Sequence, residues 1–156
     1  MAQGHNYIGG EWVAGARTVR NINPSDTRDV IGEFALADTA QARAAVDAAA
    51  AAFPAWSLSG PQQRFEVLDK AGSEILARAP ELGDLLAREE GKTLPEAVGE
   101  VVRAGQIFKF FAGEALRQRG DLLASVRPGM GVEVTREALG VVSLITPWNF
   151  PVAIPA

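Results

Sequence analysis

Gly140-Val141-Val142-Ser143-Leu144-Ile145-Thr146-Pro147-Trp148-Asn149-Phe150-Pro151 is the stretch on which the reading of this chain turns. Residues 141–145 form a nearly continuous apolar run, the pattern of a strand buried on both faces of a parallel sheet. The run empties into a polar loop, which would lie at the carboxyl end of such a sheet, where open α/β sheets bind ligands. Pro147 and Pro151 bracket Trp148-Asn149-Phe150 and restrict its backbone. An asparagine held there can donate its amide N–H to a developing oxyanion, worth about 3 kcal/mol when well aimed. It can equally close a turn through bonds to its own backbone, and the residues alone leave both roles open. A buried parallel strand also needs a crossover helix and parallel neighbours. The sequence stops about five residues after Pro151, so the expected fold is incomplete.

Working outward, Val132-Glu133-Val134-Thr135-Arg136-Glu137 alternates as a half-exposed strand does. Four helical patterns precede it. Thr93-Leu94-Pro95-Glu96 fits a capping box, and Val98, Val101, Val102, Gly105, Phe108 and Ala112 follow along one helix face. A shorter helix over residues 81–90 turns Leu82, Leu85 and Leu86 inward and stops at Gly91. Pro61 suits a first helical turn and opens a stripe of Phe65, Leu68, Ile75 and Leu76. Ala42, Ala45, Val46, Ala49, Ala50 and Phe53 form the first stripe, with Asp38 or Thr39 as N-cap and Pro54 as its end. Stripes of this kind are expected to pack on one another or on a sheet. Nearer the start, residues 30–36 read as a strand and residues 21–26 as turn chemistry. Tyr7-Ile8-Gly9-Gly10-Glu11-Trp12-Val13 reads as two short strands around a Gly-Gly turn.

Composition narrows the chemistry. The 156 residues are 47% hydrophobic and 22% charged with a net charge of −4, which speaks for no nucleic-acid or anionic-membrane partner. No apolar run approaches a membrane span and no secretory leader is evident, so the expected location is cytoplasmic. The absence of cysteine excludes disulfides, thiolate metal sites and a cysteine nucleophile within these residues. The single histidine, His5, reads as a solvated residue near the start rather than a ligand. No metal site is expected.

The segment Ile145-Thr146-Pro147-Trp148-Asn149-Phe150-Pro151 resembles the signature of the aldehyde dehydrogenase superfamily. Tyr7-Ile8-Gly9-Gly10-Glu11-Trp12, Asn23-Pro24, Ala52-Phe53-Pro54-Ala55-Trp56, Glu90-Gly91-Lys92-Thr93-Leu94 and Phe110-Phe111-Ala112-Gly113 occur in the order that family shows. The likeness runs from about Tyr7 to Ala156, and it is most similar to the 2-oxoglutarate semialdehyde (2,5-dioxopentanoate) dehydrogenases. It implies an oxidation in which a cysteine thiolate attacks the aldehyde, hydride passes to NAD or NADP, and water activated by a glutamate releases the acid. Asn149 would supply half of the oxyanion hole. Ile145, Thr146, Pro147, Trp148 and Asn149 would border the cofactor, and Phe150 would wall the aldehyde tunnel. The cysteine and glutamate would lie beyond Ala156, so this chain alone is expected to be inactive.

The resemblance also implies the architecture. The fold class is α/β: residues 1–119 would begin the cofactor-binding domain, 120–140 would be an oligomerisation hairpin, and 141–156 would start the Rossmann-like sheet. The full-length form would be a homo-oligomer, a dimer or tetramer, acting on a small aldehyde. Arg103 occupies a position that would face the substrate tunnel, where it could grip the distal carboxylate of a semialdehyde. It could otherwise face solvent, paired with Glu100 or Glu96. Asn21, Ile22 and Glu89 match positions that hold a monovalent cation in some members, although Glu89 could simply pair with Arg88 or Lys92. A non-catalytic assembly module and a truncated product are the competing readings.

Overall fold

In the computed structural model, residues 2–156 are described, and they form seven strands and four helices. Strands β1 (Ala2–Gly4), β2 (Asn6–Ile8), β3 (Glu11–Val13), β4 (Arg17–Ile22) and β5 (Val30–Leu36) come first. Helices α1 (Thr39–Ser57), α2 (Pro61–Ala77), α3 (Ala79–Glu90) and α4 (Leu94–Ala115) follow, and β6 (Asp121–Ala124) and β7 (Gly131–Val134) complete the order. One sheet has the order β1-β5-β4, with β1 parallel and β4 antiparallel to β5. β2 pairs with β3 and β6 with β7 in separate antiparallel hairpins.

Local chemistry accounts for most of these boundaries. Gly9 and Gly10, at φ 62° and 91°, make the two-residue turn between β2 and β3, as a hairpin with the native strand twist requires. The Asp38 carboxylate accepts from the Gln41 N–H at 2.8 Å and settles the N-cap of α1. Pro61 opens α2 and Pro80 lies in the first turn of α3, where a missing N–H costs nothing. Thr93 and Glu96 close the capping box of α4: the Glu96 carboxylate accepts from the Thr93 N–H at 3.2 Å and from its hydroxyl at 2.7 Å.

The core lies where α4 packs across α2 and α3. Ala79, Leu86, Ala97 and Val101 are buried together, with Ile75, Leu82 and Val102 against them. The α2–α4 crossing is close because Gly72 and Gly105 face each other; a Cβ on Gly72 would stand 2.9 Å from the Gly105 carbonyl oxygen. Lys109 then ties α4 to α2, donating to Asp69 and Ser73 at 2.7 Å each.

Four expectations need correction. Residues 141–145 form no strand, because no described segment supplies ladder partners for their backbone groups, and they lie exposed. Pro54 does not end α1; it sits in the last turns, where losing one N–H leaves the helix able to run on to Ser57. The α1 stripe is not core: Ala42, Val46, Ala49 and Ala50 are exposed, since the main packing of α1 among the described elements is against the short strand β2. Leu85 is likewise exposed. Strand β4 is an addition, since its apolar residues Val19 and Ile22 do not share the period-2 register that marks a strand.

Candidate functional site

Gly91 sits in the left-handed region at φ 84° and ends α3, its N–H donating to the Ala87 carbonyl at 2.9 Å. This αL stop reverses the chain within three residues and carries Lys92 between the end of α3 and the start of α4. On α4, Glu96, Gly99, Glu100 and Arg103 fall at i, i+3, i+4 and i+7, one helix face. That face, Lys92, and the residues Asn149, Phe150 and Ala153 enclose a groove of about 470 Å³.

Glu100 is the groove's anchor, with its side chain only 1% exposed. Its Oε1 accepts from the backbone N–H groups of Val152 and Ala153 at 2.9 and 3.1 Å. Its Oε2 accepts from Lys92 Nζ in a very short contact. The Ile154 N–H donates to the Phe150 carbonyl at 3.1 Å, so residues 150–154 make one helical turn. A carboxylate against the free N–H groups of such a turn satisfies both the donors and the local dipole. Lys92 Nζ also lies 2.8 Å from Glu90 Oε2, donates to the Asn149 carbonyl at 3.2 Å, and stands 4.6 Å from the centre of the Phe150 ring.

Burial opposes both charges, but the pair outweighs it. Desolvation works against the Glu100 carboxylate, yet Lys92 and the two amides hold it below the usual glutamate range. Desolvation works against the Lys92 ammonium too, and the hydrogen bonds and charges of Glu100 and Glu90 hold it above the ordinary lysine value. Both groups are ionised at neutral pH.

Arg103, Asn149 and Phe150 are brought together in this groove. Among the described residues Arg103 makes no ion pair: Glu100 is taken by Lys92 and the two amides, and Glu96 by Thr93. Arg103 is exposed, as the solvent-facing alternative had it, but the pairing with Glu96 or Glu100 is not formed. Nor, among the described residues, does the Asn149 side chain bond to its own backbone; the turn is closed by Phe150 and Glu100 instead. Ile145, Thr146, Pro147 and Trp148 stand outside the groove on an exposed approach, Ile145 at 96% and Trp148 at 81% exposure.

Lys92 and Glu100 were not singled out from the sequence as site residues. The signal was nonetheless present, because Glu100 interrupts the buried run of Ala97, Val101 and Ala104, and a buried glutamate is rare unless partnered. Glu89 is exposed and pairs with neither neighbour, since Arg88 binds Asp29 and Lys92 binds Glu90 and Glu100. Among the described residues there is no group of three or more His, Cys, Asp or Glu side chains that could hold a metal ion. None of the described helices is long and apolar enough to cross a membrane.

Comparison with known proteins identifies what the chain is similar to. The profile described as the aldehyde dehydrogenase family matches residues 12–156. The chain is 39% identical over 153 residues to an alpha-ketoglutarate semialdehyde dehydrogenase of Haloferax volcanii, covering 97% of this chain and 32% of that protein. It is 40% identical over 152 residues to the alpha-ketoglutaric semialdehyde dehydrogenase of Bacillus subtilis, covering 96% and 31%. The crystal structure of an NAD-dependent aldehyde dehydrogenase from Sinorhizobium meliloti superposes with a TM-score of 0.92 at 31% identity, covering 99% of this chain and 31% of that one. The chain thus spans about a third of the length of the curated relatives it matches.

Proposed function

This chain belongs to the aldehyde dehydrogenase family, and from that premise we propose that it is the N-terminal segment of an NAD(P)-dependent enzyme that oxidises a carboxylate-bearing semialdehyde, such as 2-oxoglutarate semialdehyde, to the acid. One observation carries the substrate class: Arg103 is an unpaired cation in the same groove as Asn149 and Phe150. A guanidinium left without an internal partner offers a planar fork to a carboxylate. The two semialdehyde dehydrogenases named above support the same class.

Each residue of the groove then has a task. Asn149 donates its side-chain amide to the oxygen that gains charge when a thiolate adds to the aldehyde carbon. Arg103 holds the distal carboxylate and so fixes which end of the substrate reaches Asn149. Phe150 supplies an apolar wall that keeps water from the aldehyde. The thiol is not among these residues, as the chain has no cysteine, so no turnover is expected of it alone.

The donor set on the approach fits a nicotinamide cofactor. Ile145, Thr146 and Pro147 are exposed, with carbonyls and a hydroxyl that suit ribose hydroxyls, and Trp148 offers an open aromatic face. When bound, NAD or NADP would accept the hydride. The same reading assigns residues 1–119 to the cofactor-binding domain, 120–140 to the oligomerisation hairpin and 141–156 to the start of the Rossmann-like sheet. Exposed Leu122, Leu123 and Val126 on the hairpin formed by β6 and β7 support a partner surface there, in a cytoplasmic dimer or tetramer.

The test is kinetic. In a full-length protein containing this segment, Arg103→Ala should raise KM for a carboxylate-bearing aldehyde by about 10–100-fold and leave a neutral aldehyde nearly unaffected. Equal effects on both substrates would overturn the assignment. Aldehyde-dependent NAD(P)H formation by the purified 156-residue chain would refute the thiol mechanism.

A further inference from the structure

We infer that Lys92 and Glu100 are positioning residues: together they fix the turn that carries Asn149 and Phe150, and so aim the Asn149 amide. The inference rests on the proposed function for what Asn149 does, but its geometry stands apart from substrate and turnover.

Two side chains place four contacts on four residues within the five-residue stretch 149–153. Lys92 holds the Asn149 carbonyl and covers the Phe150 ring, while Glu100 accepts from Val152 and Ala153 and locks Lys92 in place. Lys92 is further steadied by Glu90, an ion pair at 2.8 Å. Residues 141–148 immediately upstream lie exposed with no strand partner among the described residues. The orientation of Asn149 is therefore set from one side, by Lys92 in the α3–α4 connection and Glu100 on α4. Lys92 engages the Asn149 backbone and leaves its side-chain amide free to donate elsewhere, as an oxyanion donor must be.

A purely packing role fits less well. Buried ion pairs add little stability over apolar residues of similar volume, and in some proteins their role is to fix a geometry. Here both charges end on backbone atoms of the site turn. The charged groups near Glu100 are Lys92 and, through it, Glu90, with Glu96 and Arg103 on the same groove face.

The experiment is proton–nitrogen NMR with amide exchange on this chain. In Glu100→Gln one carbonyl oxygen still meets both amides. Exchange protection of Val152 and Ala153 should therefore be kept, while the pH dependence of their shifts is abolished and the Asn149 side-chain NH2 signal moves. In Lys92→Met, Asn149 and Phe150 signals should move while Val152 and Ala153 stay protected. In Glu100→Ala, Val152 and Ala153 should lose protection by about tenfold or more, with the centre of α4 unchanged. Asn149 and Phe150 signals that stay in place in both Lys92→Met and Glu100→Gln would overturn the inference. None of these readouts involves an aldehyde, so an equal effect of Arg103→Ala on both substrates would leave them standing and would remove only the substrate reading.

Discussion

The inner face of helix α4 and residues 141–145 are both apolar, yet Val101 is fully buried and Ile145 is 96% exposed. The difference is one of hydrogen bonding before it is one of hydrophobicity. A helix satisfies its backbone within itself, so α4 needs only α2 and α3 to cover its stripe. A strand satisfies its backbone only through a neighbour, and residues 141–145 have none among the described residues. The candidate site lies on the seam between these two regimes: Arg103 and Glu100 stand on the internally bonded element, and Asn149 and Phe150 are brought to it from the open one.

Cutting the seam should have the largest effect. Glu100→Ala leaves two backbone amides without an acceptor and Lys92 without its main counter-charge. Removing one partner of a buried pair should cost about 3 kcal/mol, read as a lower midpoint in urea unfolding followed by circular dichroism. Glu100→Gln should recover at least half of that, because its amide oxygen can still accept from Val152 and Ala153. A negligible loss in the alanine variant would mean that the open segment does not lean on α4 in solution.

The next effect lies within the helical side alone. Gly72→Ala would set a Cβ 2.9 Å from the Gly105 carbonyl oxygen and 3.2 Å from the Lys109 nitrogen, both fixed backbone atoms. Forcing α2 away from α4 should cost about 1–3 kcal/mol, partly offset by the better helix propensity of alanine, about 1 kcal/mol. Thermal unfolding should shift down by a few degrees. Unchanged stability would show that the crossing is looser than the contact of these glycines implies.

How much of this was legible in the sequence follows from the same contrast. The Gly9-Gly10 hairpin, the Thr93–Glu96 box and the Gly91 stop were readable because each is decided by residues a few positions apart. The α1 stripe was read as core and is not, because burial of a helix face is decided by what arrives from elsewhere. Residues 141–145 were read as a buried strand for the same reason. Within the site, Asn149, Phe150 and Arg103 stood out by residue type and motif. Lys92 and Glu100 did not: Glu100 breaks the apolar run of α4, but the backbone atoms that the pair holds lie 57 and 52 residues away, where no side-chain pattern records them.

A smaller effect should come with acid. The Arg88 guanidinium on α3 donates to both oxygens of Asp29 at 2.9 and 2.7 Å, and Asn23 donates to the same carboxylate at 3.1 Å. The Arg88 hydrogen bonds, then that of Asn23, hold the Asp29 pKa down at about 2, against 3.8 for an unperturbed aspartate. The folded value lies below the unfolded one. The link therefore contributes fully above pH 3.8 and is lost as pH falls through about 2. Carbon-detected NMR titration of the Asp29 carboxyl should show that midpoint, and Arg88→Met should return it toward 3.8. A midpoint already near 3.8 in the parent chain would show that this part-buried bridge is open in solution.

The smallest effect belongs to the open side and is the most direct test of the contrast. Leu144 and Ile145 are 71% and 96% exposed, so they make almost no contacts that a substitution could remove. Leu144→Ser or Ile145→Ser should change the stability of this chain by less than about 0.5 kcal/mol, although a buried strand position of either residue would lose several times that. The result should hold at low protein concentration. If the serine variants also abolish association at high concentration, then these residues meet a second copy, as apolar backbone without a ladder partner is prone to do. If they destabilise the dilute monomer by more than about 1 kcal/mol, residues 141–145 are covered by this chain itself, and the open and closed regions described above are not distinct.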